Sequence, residues 1–333
     1  MAAATFDILA IGDALVDVIA TCDDDFLTAH RLPKGSMQLV SPVEADALYA
    51  AMGVAREMSG GSAANSMAGI AAMGGRAGFI GQVAADQFGE VFAHDMTAQG
   101  VHFATPPLKG GPLTGGPPTG RCLILVTPDG GRTMNTAPGA SHELAPGALD
   151  AGLIASAAIL YLEGYLWGPA SPRAAMAAAI DIAHAAGREV AFTVSESVVI
   201  AGRRQGFGEL IEGGGVDLLF ANENEAMQLG ERSDLDAAIE VLAAKIPTLV
   251  VTRGAAGASA VSGGKRIDIP AAPVGKVVDT TGAGDLFAAG FLVARAKQAP
   301  LERCLSVGAI AAAEIIGHFG ARPEANLKDL IRL

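Results

Sequence analysis

The segment Gly282-Ala283-Gly284-Asp285 sets three small residues and a carboxylate at the head of a strongly apolar helical run, 286–293. The first amides of a helix lack intrahelical acceptors, and the helix dipole adds roughly half a positive charge, so an anion is favoured there. The small residues let a phosphate approach the backbone. Asp285 then has two readings. It can cap the helix and complement its dipole, contributing up to about 1 kcal/mol. Alternatively, it accepts the proton of an attacking hydroxyl while the neighbouring amides stabilise a phosphoryl group in transfer. Capping alone does not demand the small residues around it.

Other residues could serve the two partners of such a transfer. Gly12-Asp13-Ala14-Leu15-Val16-Asp17 puts two carboxylates four residues apart after an apolar strand. They form either an exposed acidic turn or acceptors for sugar hydroxyls, each charge-assisted hydrogen bond contributing roughly 1.5–3 kcal/mol. Ser59-Gly60-Gly61-Ser62-Ala63-Ala64-Asn65 opens a helix with small residues, and its lone amide, Asn65, faces the same way as Gly61 one turn earlier. That pattern suits close helix packing or a ligand. Asn222-Glu223-Asn224-Glu225 follows the apolar stretch ending at Ala221, within reach of a metal-bound phosphate or as a plain helix cap. Thr252-Arg253-Gly254-Ala255-Ala256-Gly257 is a glycine-rich turn after another strand. The chain has no Gly-Lys-Ser/Thr P-loop, and Gly282-x-Gly284 lacks the third glycine of a dinucleotide fingerprint. P-loop enzymes and Rossmann dehydrogenases are therefore disfavoured.

The elements that must hold these residues read as alternating strands and helices. Apolar runs at 6–12, 77–83, 159–162, 190–194, 216–221 and 248–252 are expected strands, and 62–73, 88–99, 170–186, 235–244, 283–297 and 301–316 expected helices. The alternation implies a mostly parallel sheet with ligands at the carboxyl ends of its strands. Two regions, 16–40 and 101–136, break the rhythm. The second includes alternating runs about the turn Pro128-Asp129-Gly130-Gly131. They are expected to form antiparallel ribbon in a small β-lid. The stretch 109–118 reads as loop.

Length and composition agree with one α/β domain over 1–333, half of whose residues are hydrophobic. A formal net charge of −12 opposes binding to nucleic acid or to an anionic membrane. Cys22, Cys122 and Cys304 stand in no metal or disulfide spacing, and no apolar run reaches membrane-spanning length, so the expected compartment is the cytoplasm.

The run Asp279-Thr280-Thr281-Gly282-Ala283-Gly284-Asp285, continued by Ala289-Gly290-Phe291-Leu292, resembles the C-terminal signature of the ribokinase (PfkB) family of carbohydrate and nucleoside kinases. Gly-x-x-x-x-Asp at 12–17, Gly-Gly-x-x-x-Asn at 60–65 and Asn-x-x-Glu at 222–225 resemble further motifs of that family, in its order, over about 8–323. The resemblance implies a ribokinase-like sheet flanked by helices with a small antiparallel lid, and ATP and Mg²⁺ as cofactors. It implies Asp285 as catalytic base over an anion hole of Gly282, Ala283 and Gly284. Asn222 and Glu225 would organise the Mg²⁺-bound triphosphate, Glu225 through water, and Thr252, Gly254 and Gly257 would line the nucleotide. On the acceptor side it implies Asp17 with Asp13 assisting, Gly60, Gly61 and Asn65 on sugar hydroxyls, and Glu163 as a further carboxylate toward the substrate. Asp279 and Thr281 match positions that hold a monovalent cation, K⁺, in some relatives, although Glu324 stands where those relatives carry a small residue.

Segments 132–136 and 161–167 look like those of bacterial members described as adenosine kinase-like. The implied reaction is phosphorylation of a primary hydroxyl of a nucleoside or sugar, adenosine to AMP first. Ribose, fructose, inosine or guanosine are alternatives, and a noncatalytic nucleoside sensor is a remote one. Tyr165 and Trp167 either stack on a purine or pack the core. An unpaired lid edge leaves monomer and homodimer both open.

Overall fold

A computed structural model describes residues 4–109, 111, 115–195 and 197–331; part of the loop expected at 109–118, residues 110 and 112–114, lies outside them. Nine strands form the main sheet, in spatial order Lys265–Ile269, Ala258–Ser262, Thr248–Thr252, Leu218–Asn222, Glu189–Thr193, Ala157–Glu163, Phe6–Ile11, Ala77–Ile80 and His102–Phe103. Thr248–Thr252 and the strands beyond it pair in parallel, while the first two form an antiparallel edge hairpin. Both faces are covered, as parallel strands require. In the Phe6–Ile11 strand, Ile8 and Ala10 pack into one apolar cluster and Leu9 and Ile11 into another. Helices Ser62–Ala72, Ala283–Ala296 and Leu301–Ile315 cover the first face, and Ala170–Ala185 and Leu235–Ala243 the second. All six expected helices form within one residue of their expected ends.

From the Phe6–Ile11 strand the chain fills the sheet first on one side and then, starting at Ala157–Glu163, on the other. That reversal opens a crevice at the carboxyl ends of the two central strands. The turns carrying Asp13, Ser195, Asn222 and Gly254 all lie along this edge.

A second sheet projects over the crevice, in the order Met37–Leu39, Arg132–Ala137, Gly120–Val126, Leu15–Thr21 and Ala55–Gly60. It corrects the expected lid in four respects. Its pairing is mixed: Gly120–Val126 with Arg132–Ala137 and Leu15–Thr21 with Ala55–Gly60 are antiparallel, but Leu15–Thr21 with Gly120–Val126 and Met37–Leu39 with Arg132–Ala137 are parallel. Strands so far apart in the chain can meet through long crossovers that leave them running the same way. The region 16–40 is not ribbon throughout, because Asp23 accepts a hydrogen bond from the Phe26 N–H (2.8 Å) and caps a short helix, Asp24–Ala29. The strand Ala55–Gly60 lies outside both expected lid segments, and His102–Phe103 pairs into the main sheet. Helix Pro42–Ala51 was also not expected; Ser41 and Glu44 close a capping box before it.

Candidate active site

Three cavities follow one another along the crevice. The first, about 460 Å³, lies under the lid and is lined by Asp13, Asp17, Gly61, Ser62, Asn65 and, at its inner end, Asp285. The second, about 360 Å³, is lined by Asn222, Glu225 and Gly284, and shares Ser62, Ser195 and Asp285 with the first. The third, about 530 Å³, is lined by Gly257 and an apolar set that includes Val274, Ala309 and Ile316, and shares Thr252, Gly254, Gly284 and Phe287 with the second. Asp285 thus stands where the first cavity, on the side expected to take the acceptor, meets the second, on the side expected to take phosphate, and a further apolar cavity continues beyond.

Asp285 lies in the first turn of the Ala283–Ala296 helix and is held on both oxygens. Ser62 Oγ donates to Oδ1 (2.6 Å) and Asn65 Nδ2 to Oδ2 (2.9 Å), while Ser66 Oγ donates to its carbonyl (3.0 Å). Burial pushes its carboxyl above the usual carboxylate range, against the pull of Ser62, Asn65 and the Arg322 charge. A raised, oriented carboxylate suits a general base. Gly282 caps the helix at φ +76°, where a Cβ would also meet Ala321 at 2.8 Å, so glycine is required by the backbone itself. Gly284 has open space where its Cβ would be. The N–H groups of Gly282, Gly284 and Asp285 have no partner among the described residues, whereas that of Ala283 donates to the Thr280 carbonyl (3.2 Å). Of the expected anion-hole residues, Gly282 and Gly284 thus keep unpaired amides, as does Asp285, while the Ala283 amide already has an internal partner.

At the acceptor end, Gly60 and Gly61 let two segments close on each other. A Cβ on Gly60 would strike the Asp17 carboxylate, and one on Gly61, which sits at φ +95°, would strike the Asp13 carbonyl. Burial raises Asp17 to about 6 against the pull of Arg322 and Arg132, with Asp285 adding to the rise. Asp13 is buried, accepts from Ser141 Oγ (2.7 Å), and is raised by burial that this bond partly offsets. Glu163 does not face the acceptor. It is fully buried and accepts the backbone N–H groups of Asp13 (2.5 Å) and Ala63 (2.7 Å), tying the acidic turn to the Ser62–Ala72 helix. Burial first, and the Asp13 charge second, raise it well above its ordinary value. Tyr165 lines the acceptor cavity, whereas Trp167 is buried edge-on against Phe192, with ring centroids 6.1 Å apart.

At the nucleotide end, Asn222 and Glu225 form a reciprocal capping box. Asn222 donates to the Glu225 carboxylate through its N–H (2.9 Å) and Nδ2 (2.7 Å), and Glu225 N–H donates to Asn222 Oδ1 (2.9 Å). The cap and the ligand reading coincide here, because the same two side chains line the phosphate cavity. Gly254 at φ +53° has open space, while a Cβ on Gly257, at φ +94°, would strike the Ile269 carbonyl.

The profile of the pfkB family carbohydrate kinases matches residues 7–327. The chain belongs to that family. It is 46% identical to the adenosine kinase from Sinorhizobium meliloti, with 99% of each chain covered and a TM-score of 0.91. It is 32% identical to the ATP-dependent ribose-1-phosphate kinase of Halopiger xanaduensis over 80% of this chain and 83% of that one. With the cytidine kinase of Thermococcus kodakarensis it shares 36% identity over 110 residues, 32% of this chain and 38% of that protein.

For a pfkB kinase the donor sets can be tested against Mg²⁺ and K⁺. Glu225, with Asn222 and Glu223 beside it in the phosphate cavity, supplies oxygen donors of the kind that hold a hydrated Mg²⁺ through water. Bound there with ATP, Mg²⁺ would neutralise charge on the phosphate oxygens. A monovalent cation on Asp279 and Thr281 does not fit. Asp279 Oδ1 accepts Thr281 N–H (3.0 Å) and Oγ1 (2.7 Å), and Oδ2 accepts Gly320 N–H (3.0 Å) and the guanidinium of Arg132 from the lid. Burial works to raise Asp279, but these donors and the Arg132 charge outweigh it and hold the carboxyl below its usual range.

Several site residues of this pfkB kinase carried no signal in the chain. Ser62 was visible only as a small residue in a glycine-rich segment, Arg322 has no motif of its own, and Arg132 stood in the segment 132–136 without a role. The apolar wall of Leu15, Met37, Leu39, Ile124 and Met134 comes from four lid strands, so no local window contains it. Among the described residues no helix is long and apolar enough to cross a membrane.

Proposed function

We propose that this chain transfers the γ-phosphoryl group of ATP to the primary hydroxyl of a nucleoside, with adenosine the preferred acceptor, in the cytoplasm. The observation that carries this reading is the two-sided acceptor cavity. Asp17, Gly61 and Asn65 stand beside Asp285, while Leu15, Met37, Leu39, Ile124 and Met134 form an apolar wall. A nucleoside divides the same way, into a hydroxyl-bearing ribose and a flat base. A free sugar would leave hydroxyls unpaired against that wall, each costing about 1–3 kcal/mol. The similarity to the Sinorhizobium meliloti adenosine kinase supports the same acceptor.

In the proposed step the acceptor oxygen attacks the γ-phosphorus, the bond to the β-phosphate oxygen breaks, and the hydroxyl proton passes to Asp285. Ser62 and Asn65 fix the carboxylate that receives it. The N–H groups of Gly282, Gly284 and Asp285 meet the charge on the transferring oxygens. The lid excludes water that would otherwise hydrolyse ATP. Adenine would occupy the apolar compartment lined by Val274, Ala309 and Ile316.

A second reading is a phosphorylated sugar. Arg203 and His142 also line the acceptor cavity and could meet an anion at its far end, and the Halopiger xanaduensis relative supports that option. ADP release with Mg·ATP, compared by kcat/KM over adenosine, inosine, guanosine, cytidine, ribose, fructose and ribose 1-phosphate, decides between them. Adenosine well ahead of the rest bears out the first reading, and ribose 1-phosphate ahead replaces it. Tight nucleoside binding without turnover would mean a sensor.

A further inference from the structure

Arg322 lies past the Leu301–Ile315 helix, in a segment without regular structure, yet its guanidinium reaches Asn65 on the wall of the first cavity. Nη2 donates to the Ser59 carbonyl (2.6 Å) and Oγ (2.9 Å), and Nη1 donates to Asn65 Oδ1. Ser59 is held from its other side by Asp95, whose Oδ2 accepts the Ser59 N–H (2.8 Å) and Oγ (2.6 Å). Arg322 therefore ties the lid strand Ala55–Gly60 to the Ser62–Ala72 helix, at the two ends of the Gly60-Gly61 turn.

The contact with Asn65 has a stricter consequence. A guanidinium only donates and an ionised carboxylate only accepts. Asn65 sits between one of each, with Oδ1 toward Arg322 and Nδ2 toward Asp285. Only this orientation of the amide satisfies both neighbours. Flipped by half a turn, it would aim N–H groups at a cation and an oxygen at a carboxylate. We propose that Arg322 is a positioning residue for phosphoryl transfer: it locks the Asn65 amide so that Asp285 is held in line and ionised, with Asn65 still able to meet an acceptor hydroxyl. The inference rests on the kinase reading above.

The charged and titratable groups around this network come from every neighbouring element. Asp17 and Arg132 face it from the lid, Asp95 from the Gln87–Ala98 helix, Glu163 and Tyr161 from the central strand, and Asp285 from its own helix. Arg322 opposes the rise of both Asp17 and Asp285, so its removal moves both in the same direction.

The test compares Arg322→Met, which keeps length without charge, with Arg322→Lys, which keeps charge without the fork. For the Met variant, kcat should fall about 10- to 100-fold, the scale of a misplaced catalytic group. KM for Mg·ATP should stay within about twofold, and the acid limb of the kcat–pH profile should move to higher pH. The Lys variant should return the limb toward its original position and recover only part of kcat. A folded Met variant with wild-type kcat and an unmoved limb overturns the inference. So does a lower kcat with an unmoved limb and no gain from Lys. Should the Met variant fail to fold by circular dichroism, the Lys variant decides alone, and wild-type kcat in it overturns the proposal. Absence of nucleoside-dependent ADP formation in the unmodified protein removes the kinase reading itself, whereas turnover there with unaffected variants removes only the role of Arg322.

Discussion

The nucleotide end and the acceptor end of the crevice are built from different materials. Toward the nucleotide, the contacts come from short contiguous motifs and largely from backbone: the helix start at Gly282–Asp285, the Asn222–Glu225 capping box and the turn at Gly254–Gly257. Toward the acceptor, they are side chains gathered from the first crossover, four lid strands, the Ser62–Ala72 helix and the segment carrying Arg322. Backbone amides are neutral dipoles that do not titrate over the working pH range and are hard to mutate away. The acceptor end depends instead on carboxylates that are buried, Asp13 and Glu163, or half-buried, Asp17 and Asp285, and desolvation raises all four. One end is fixed by chain geometry and the other by electrostatic balance, so the two should respond differently to substitution and to pH.

The largest expected effect comes from the residue the two ends share. Asp285→Ala should lower kcat by about 10²–10⁴ with little change in either KM, the pattern of an interaction made in the transition state. Steady-state ADP release with adenosine and Mg·ATP varied in turn would measure it. Near-normal turnover would remove Asp285 from the chemistry and leave the joint between the compartments without a function.

Asp17 separates the ends more sharply. Asp17→Asn keeps the shape and loses the charge, and a lost charge-assisted hydrogen bond of roughly 1.5–3 kcal/mol predicts an acceptor KM about 10- to 100-fold higher. The KM for Mg·ATP should move less than about twofold, since Asp17 lines only the acceptor compartment. Equal increases in both constants would mean that the lid organises the whole crevice and the division into two ends is wrong.

The contrast also explains how much could be read from the chain. The segment Asp279–Asp285 is continuous, and phosphate chemistry at a helix start depends on local residues, so its placement needed no tertiary information. The alternation of strand and helix was legible for the same reason. Glu163 shows the limit: a carboxylate at a strand end looks like a substrate contact, and only the packed structure reveals that it is spent on the Asp13 and Ala63 amides. The strand Ala55–Gly60 escaped because Ala-Arg-Glu-Met-Ser-Gly has neither β-branched residues nor alternation. Helix Pro42–Ala51 escaped although Ser41-Pro42-Val43-Glu44 spells a capping box, a local signal available in the chain. Parallel pairing within the lid had no local signal at all.

A smaller effect should appear with pH. Asp17, raised by burial to about 6, takes up a proton as pH falls through that value and then loses its charge toward the acceptor. The acceptor KM should therefore rise below about pH 6 and stay level above it, while the KM for Mg·ATP, measured with Mg²⁺ in excess, changes less. In Asp17→Asn the acceptor KM should lose that dependence. A wild-type acceptor KM that is flat from pH 5 to 8 would place the sensitivity elsewhere.

The smallest expected effect concerns a side chain that reaches from the lid to the nucleotide end. Arg132 starts on a lid strand and finishes on Asp279, at the edge of the turn proposed to bind phosphate, where both partners are nearly buried. A guanidinium that already satisfies the Asp279 carboxylate supplies the positive charge that a monovalent cation would otherwise bring to that carboxylate. A second cation would have to displace it from a buried, hydrogen-bonded pair, and leaving one such partner uncompensated costs about 3–5 kcal/mol. Replacing K⁺ by tetramethylammonium at constant ionic strength should therefore change kcat/KM less than about twofold. In Arg132→Met the bare Asp279 carboxylate regains room for a cation, and K⁺ should then raise turnover where tetramethylammonium does not. Strong K⁺ activation of the unmodified enzyme would mean that the pair opens during turnover and that the lid releases Asp279 before phosphate transfer. In that event the ends would be coupled by a moving lid, and the fixed character assigned to the nucleotide end would hold only while the Arg132–Asp279 pair stays closed.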